Sequence, residues 1–219
     1  MIIYVTGTNT DVGKTVATAA LASAFKQHGR EVIYAKPLQT GEPEGKGDAA
    51  TVGKLAGVEV AEMVRFPEPL APNLSARRAG MGQPSLQELK EWIAALDAPS
   101  RVVLVEGAGG LLVRLTDAYT LADVADKLLI VTSLNLGSLN AAELTVREAQ
   151  RRGIEVLGLV GGSLPADPDL ATRLNLEEMP EVTGCTLWGS LPEGMARMAP
   201  AEFARVAAEV YADFVEHAE

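Results

Sequence analysis

The feature that most constrains this chain is a strand that runs without a break into a glycine loop and then a helix. Residues 2–6 form a short, β-branched apolar run. It passes directly into Gly7-Thr8-Asn9-Thr10-Asp11-Val12-Gly13-Lys14-Thr15, and a helical pattern follows to about residue 27, with Gly29 as its stop. Such a junction points consecutive backbone N–H groups and a helix N-terminus at one place, which suits phosphate oxygens. Lys14 is placed to reach the outer phosphates and the Thr15 hydroxyl to ligate a magnesium ion. The usual pattern has its first glycine where this chain has Thr8; Gly7 sits one residue earlier, and Gly13, Lys14 and Thr15 keep most of the mechanics.

Elsewhere, apolar runs at residues 31–35, 102–106, 128–133, 155–161 and 186–190 alternate with helical patterns. Most are continuously apolar, as strands covered on both faces are. Ser85-Leu86-Gln87-Glu88 reads as a capping box ahead of Leu89, Ile93 and Leu96. A further helix is expected from about Gly137 to Arg152, and a last one on the stripe Phe203, Val206, Ala207, Val210 and Phe214. The expectation is an α/β fold: a doubly wound, mostly parallel sheet flanked by helices, one domain over residues 1–219. Residues 41–82, rich in Gly and Pro, are expected to form active-site loops around one or two short helices.

Composition narrows the function. A single cysteine, Cys185, permits no internal disulfide. With 19 Lys and Arg against 29 Asp and Glu, the net charge of −10 disfavours nucleic acid and anionic membrane as partners. No apolar run spans a membrane and the N-terminus lacks a basic leader, so a cytoplasmic location is expected. His28 and His217 resemble surface residues, and no Ser/His/Asp arrangement supports hydrolysis. Arg77-Arg78 reads as a solvated pair.

In open α/β sheets ligands lie beyond the carboxyl ends of the strands. The second strand is expected to end in Lys36-Pro37-Leu38-Gln39-Thr40-Gly41, and the third in Glu106-Gly107-Ala108-Gly109-Gly110. The fourth leads to Asn135-Leu136-Gly137-Ser138-Leu139-Asn140, a polar helix start. Lys36 is one of only seven lysines, and a cation at that place implies an anion to meet it. Thr15, Glu106 and, from the loop, Asp48 are candidate oxygen ligands for magnesium.

Together these segments resemble the dethiobiotin synthetase family, of the P-loop NTPase fold. Its Gly-Thr-x-Thr-x-Val-Gly-Lys-Thr loop matches Gly7 to Thr15, and its Lys-Pro-x-x-Ser/Thr-Gly segment matches Lys36 to Gly41. Val105 to Gly110 and Leu136 to Asn140 match two more. The resemblance implies an ATP- and magnesium-dependent ligase of biotin biosynthesis that joins 7,8-diaminononanoate and CO₂ through a carbamate and its phosphoric anhydride. It implies Lys36, Lys14 and Thr10 as catalytic residues. Nucleotide contacts would come from Asp11, Val12, Gly13, Lys14, Thr15, Val16, Asp48, Glu106, Gly107, Ala108 and Gly109. Thr15, Asp48 and Glu106 would hold the metal. Thr40 would bind substrate, and Gly137, Ser138, Leu139 and Asn140 would take its carboxylate from the second subunit of a homodimer.

One segment departs from the family. Where its members place an Asn-Asp pair that reads adenine, this chain has Gly162-Ser163, which leaves base contacts to backbone and to Leu191, Pro192 and Glu193. Relaxed nucleotide choice is the expectation, with other triphosphates competing with ATP. Alternatives are a partitioning-type switch ATPase, which carries an extra lysine where Thr8 stands and often a basic tail, and a corrinoid a,c-diamide synthetase, which usually adds a glutaminase domain. The tail here is acidic, with Glu202, Glu209, Asp213, Glu216 and Glu219 against Arg205. No guanine-reading Asn/Thr-Lys-x-Asp supports a GTPase, and a nucleoside kinase leaves the Lys36 and Glu106 segments unexplained.

Overall fold

The structure, a computed structural model, describes residues 1–218; Glu219, counted above with the acidic tail, lies outside the described residues. The chain runs β1 (Ile2–Gly7), α1 (Lys14–Gln27), β2 (Glu31–Thr40), α2 (Asp48–Ala56), β3 (Glu59–Phe66), α3 (Pro72–Ala79) and α4 (Leu86–Leu96). It continues β4 (Arg101–Gly110), β5 (Lys127–Thr132), α5 (Ser138–Arg151), β6 (Glu155–Leu164), α6 (Leu170–Thr183), β7 (Leu187–Pro192) and α7 (Pro200–Ala218). Among the described residues seven strands form one sheet in the order β3-β2-β4-β1-β5-β6-β7, with every pairing parallel.

Parallel strands need crossovers, and the helices that make them cover both faces. Ile3, Val5, Val102, Leu104, Leu129 and Val131 face α1, α2 and α7. The residues between them, Tyr4, Val103, Leu128 and Ile130, face the helices α3 to α6. Both sides of the central strands are therefore dry, which is why they read as unbroken apolar runs. Helix α1 is walled in further, because α2 and α7 flank it while the sheet lies beneath. Every residue from 17 to 25 is buried, and five of the nine are alanine, small enough for close approach. The capping box at α4 is formed, with Glu88 N donating to Ser85 Oγ at 3.2 Å and Ser85 N to Glu88 Oε2 at 2.7 Å.

Three expectations are corrected. β2 continues to Thr40, so Lys36 lies inside a strand, not beyond its end. Pairing with β4 stops at Ala35, and past it β2 has only β3 as neighbour, so the missing N–H of Pro37 costs no bond on the β4 side. Residues 41–82 hold α2 and α3 but also a strand, β3, at the sheet edge. Its exposed Glu59 and half-buried Glu62 and Arg65 break the apolar run, as charges on an edge do. Helix α6 was not expected either, although Asp169 caps it by accepting from Thr172 N at 2.7 Å and Gly184 closes it in the left-handed conformation.

Candidate functional site

The loop between β1 and α1 is pinned on both flanks. Thr8 N donates to Val131 O at 2.9 Å and Thr8 Oγ1 to Thr132 Oγ1 at 3.3 Å, which ties it to β5. Asp11 (φ +58°) and Gly13 (φ +91°) both take the left-handed conformation, which turns successive N–H groups toward one concave side. The end of β6 packs flush against this turn: a Cβ on Gly162 would lie 1.7 Å from Val12 O. Lys14 folds back on Asn9 O at 3.3 Å. Burial pushes its ammonium below the ordinary value; Glu106 opposes the shift and Lys36 adds to it.

Four elements then bring polar side chains to one point. Thr15 Oγ1 at the start of α1 lies 2.9 Å from Asp48 Oδ1 on α2 and 3.1 Å from Glu106 Oε1 on β4. Lys36, buried within β2, reaches Asp48 Oδ2 at 2.6 Å and Glu106 Oε1 at 3.2 Å, and donates to Gly107 O at 2.9 Å. Burial acts to lower the Lys36 ammonium, but Glu106 and Asp48 outweigh it and hold the group above its ordinary value. Burial likewise raises the Asp48 carboxyl, and Lys36 reverses this and holds it below the usual range.

The donor set suits a hard divalent cation. Thr15 has one hydroxyl proton for two carboxylate oxygens, so one of its two contacts lacks a proton. Glu106 Oε2 is buried, and the equally buried Tyr34 hydroxyl interacts with this carboxylate at less than full hydrogen-bond geometry, a shortfall that a ligand would make good. Threonine and carboxylate oxygens are what magnesium takes when it shares its shell with phosphates and water.

A cavity of about 1140 Å³ opens here, and Thr10, Asp11, Gly13, Lys14, Thr15, Val16, Lys36, Thr40, Asp48, Glu106, Ala108 and Gly109 all line it. Val12 is buried under the loop and Gly107 beneath Lys36. The base-contact candidates lie apart from it: Gly162 is against the loop, Ser163 is exposed, and Glu193 N donates to Leu164 O at 2.8 Å, joining the ends of β6 and β7 that carry Leu191 and Pro192. Gly137, Ser138, Leu139 and Asn140 start α5 and do not line the cavity of their own chain. His28 Nδ1 lies by Ala24 O, His217 rests on Trp188, and Arg78 pairs with Glu68 at 2.5 Å, all away from the cavity. One site residue had been passed over. Gln39 is buried, and its Oε1 accepts from Asp48 N at 3.0 Å. A glutamine three residues after Lys36, beside the apolar Leu38, was the available signal.

An AAA domain family model matches residues 2–200. ATP-dependent dethiobiotin synthetase BioD of Corynebacterium diphtheriae is 56% identical over 214 residues, 96% of either chain. The chain belongs to the dethiobiotin synthetase family. Its relative from Rhodococcus jostii is 48% identical over 213 residues, 94% of this chain and 92% of that one. Among solved structures, the cell division ATPase MinD of Pyrococcus furiosus superposes with a TM-score of 0.58 at 18% identity, covering 97% of this chain and 98% of that one. MinD of Pyrococcus horikoshii, complexed with Mg-ADP, gives 0.58 at 17% identity, covering 95% and 85%. At such identity the likeness shows the fold alone, so the dethiobiotin synthetase family shares its doubly wound sheet with ATPases of another purpose.

Proposed function

We propose that this chain, acting as one domain, closes a cyclic urea from 7,8-diaminononanoate and CO₂ at the expense of ATP, the reaction that gives dethiobiotin, ADP and phosphate. One substrate amine captures CO₂ as a carbamate. A carbamate oxygen takes the γ-phosphoryl group as its bond to ADP breaks. The second amine attacks the carbonyl carbon, and phosphate leaves with the former carbamate oxygen. No step needs a protein nucleophile; the demand is for positioning and for positive charge around a transferring phosphoryl.

The observation that carries this reading is the convergence of Lys14 and Lys36, from separate elements, on one cavity with Thr15, Asp48 and Glu106. Lys14 and Lys36 stabilise the anionic carbamate and the charge that develops on the phosphoryl oxygens. Thr10 and the Ala108–Gly109 backbone border the same space, and Thr40 donates to the substrate. Thr15, Asp48 and Glu106 would hold magnesium, which would supply positive charge to the phosphates. The base lies by Gly162, Ser163, Leu191, Pro192 and Glu193, where the family's Asn-Asp pair is replaced, so other triphosphates compete with ATP.

The working unit is a homodimer, with Gly137, Ser138, Leu139 and Asn140 of each copy meeting the substrate carboxylate of the other. Support comes from Gly137, left-handed and with no side-chain cap on the helix it starts, and from Leu136, which is 85% exposed beside it. Among the described residues no helix is long and apolar enough to cross a membrane. That, the acidic surface and the unpaired Cys185 favour a cytoplasmic site of action and no nucleic-acid partner.

Phosphate release from MgATP, measured with diaminononanoate and bicarbonate singly and together, tests the reaction. Release is expected only with both. Release with neither would replace the ligase by a switch ATPase.

A further inference from the structure

Asp48 reaches the cluster from an unpromising place. The residues before it, 42–46, are exposed, and its helix α2 starts from Gly47, which has a φ of +99° and offers no side-chain cap. A helix start of this kind leaves its first N–H groups without partners. The N–H of Asp48 nevertheless has one, because Gln39 Oε1 accepts from it at 3.0 Å across from β2. The other end of the same amide donates to Thr40 O at 3.1 Å. With both ends bonded the amide cannot turn over. Gly47 lets it close in, since a Cβ there would lie 2.7 Å from Gln39 Cδ. Gln39 is only 4% exposed, and burying an amide costs free energy that an apolar side chain would avoid.

We propose that Gln39 is a positioning residue: acting as a cap borrowed from the neighbouring strand, it sets the Asp48 carboxylate against Thr15 and the metal. Lys36 and Gln39 stand three residues apart on β2, so one strand fixes Asp48 from both sides, by charge at the side chain and by a hydrogen bond at the backbone. The proposal rests on the reading of Asp48 as a ligand of the nucleotide's magnesium.

Three variants test it: Gln39→Met, which keeps volume and loses the acceptor; Gln39→Glu, which keeps an acceptor oxygen; and Asp48→Asn. Binding of Mn²⁺ in the presence of a non-hydrolysable ATP analogue is read by electron paramagnetic resonance, and Asp48 N–H exchange by NMR. Q39M is expected to weaken Mn²⁺ by about tenfold, as loss of a partner behind a ligand does, and to speed exchange of the Asp48 amide. It should raise the KM for magnesium more than it lowers kcat. Q39E is expected to restore affinity to within about threefold of the parent. Parent-like Mn²⁺ binding in Q39M, with D48N weakened, would overturn the role of Gln39, as would a loss in Q39E as large as in Q39M. Parent-like binding in D48N would overturn the reading of Asp48 itself, and the proposal with it.

Discussion

At the scale of the residue, Lys36 answers to two needs at once. In the proposed reaction it supplies a cation to the reacting groups, and in the structure it separates two carboxylates, one of them almost fully buried. Lys36→Met is therefore expected to lower turnover by about 10²–10³-fold. It should also destabilise the empty protein by about 3 kcal/mol, because removing one partner leaves Glu106 buried without its counter-charge. Steady-state kinetics and denaturant unfolding check the two effects; retained turnover would make Lys36 a purely structural cation. Gly162 constrains the same site by what it lacks. With Val12 O only 1.7 Å from where a Cβ would sit, Gly162→Ala must push either β6 or the phosphate loop by more than an ångström. Turnover should drop about 10²-fold, the usual result of displacing a binding group that far, with a lower thermal midpoint. Parent-like kinetics would show that the loop tolerates the shift.

At the scale of the element, the C-terminus of α5 is held by charge. Arg152 pairs with Asp123 at 2.8 Å and Glu148 at 2.6 Å, while Arg151 adds a second contact to Glu148 at 2.8 Å. Hydrogen bonds from Arg151 and then Arg152 hold the Glu148 carboxyl down at about 2, against an ordinary 4.5. A depressed carboxyl favours the fold above its ordinary value, and that contribution fades as pH falls through about 2. Carbon-detected NMR titration should place the Glu148 midpoint near that lower value; a midpoint near 4.5 would mean that the pairs are not formed in solution. Elements differ in how openly the sequence announces them. β1, β4 and β5 are dry on both faces and show as apolar runs, and α4 shows through its Ser85–Glu88 cap. β3 is hard to read because on this edge strand Glu59, Glu62 and Arg65 interrupt the hydrophobic run of Val60, Ala61, Met63, Val64 and Phe66. α6 carries an internal Pro180 that reads as a breaker, and its weak amphipathicity hides it further. The phosphate loop was legible because its chemistry is local in sequence. The meeting of Asp48 with Thr15 was expected chiefly through the family resemblance, and its ion pair with Lys36 was not expected, since no local pattern announces a contact that Gln39 helps to set through the backbone.

At the scale of the whole molecule, a chain of net charge −10 frames a cavity that in the proposed reaction receives a triphosphate and an anionic substrate. Local cations and oriented N–H groups have to overcome that field. If the carboxylate is met by the α5 start of a second copy, a substrate analogue lacking it should lose most of its affinity, and activity should fall on dilution as the copies separate. Binding titrations and a dilution series test this, and unchanged affinity would remove Gly137–Asn140 from the substrate site. Finally, the burial of α1 on every side has a mechanical result. The helix that carries Lys14 and Thr15 is wedged between α2, α7 and the sheet and has no space in which to tilt. Adjustment to an incoming ligand is then left to the loops around the cavity, the exposed stretch that leads into α2 among them. The floor behaves as an anvil, and the give in this enzyme lies along the rim of the cleft.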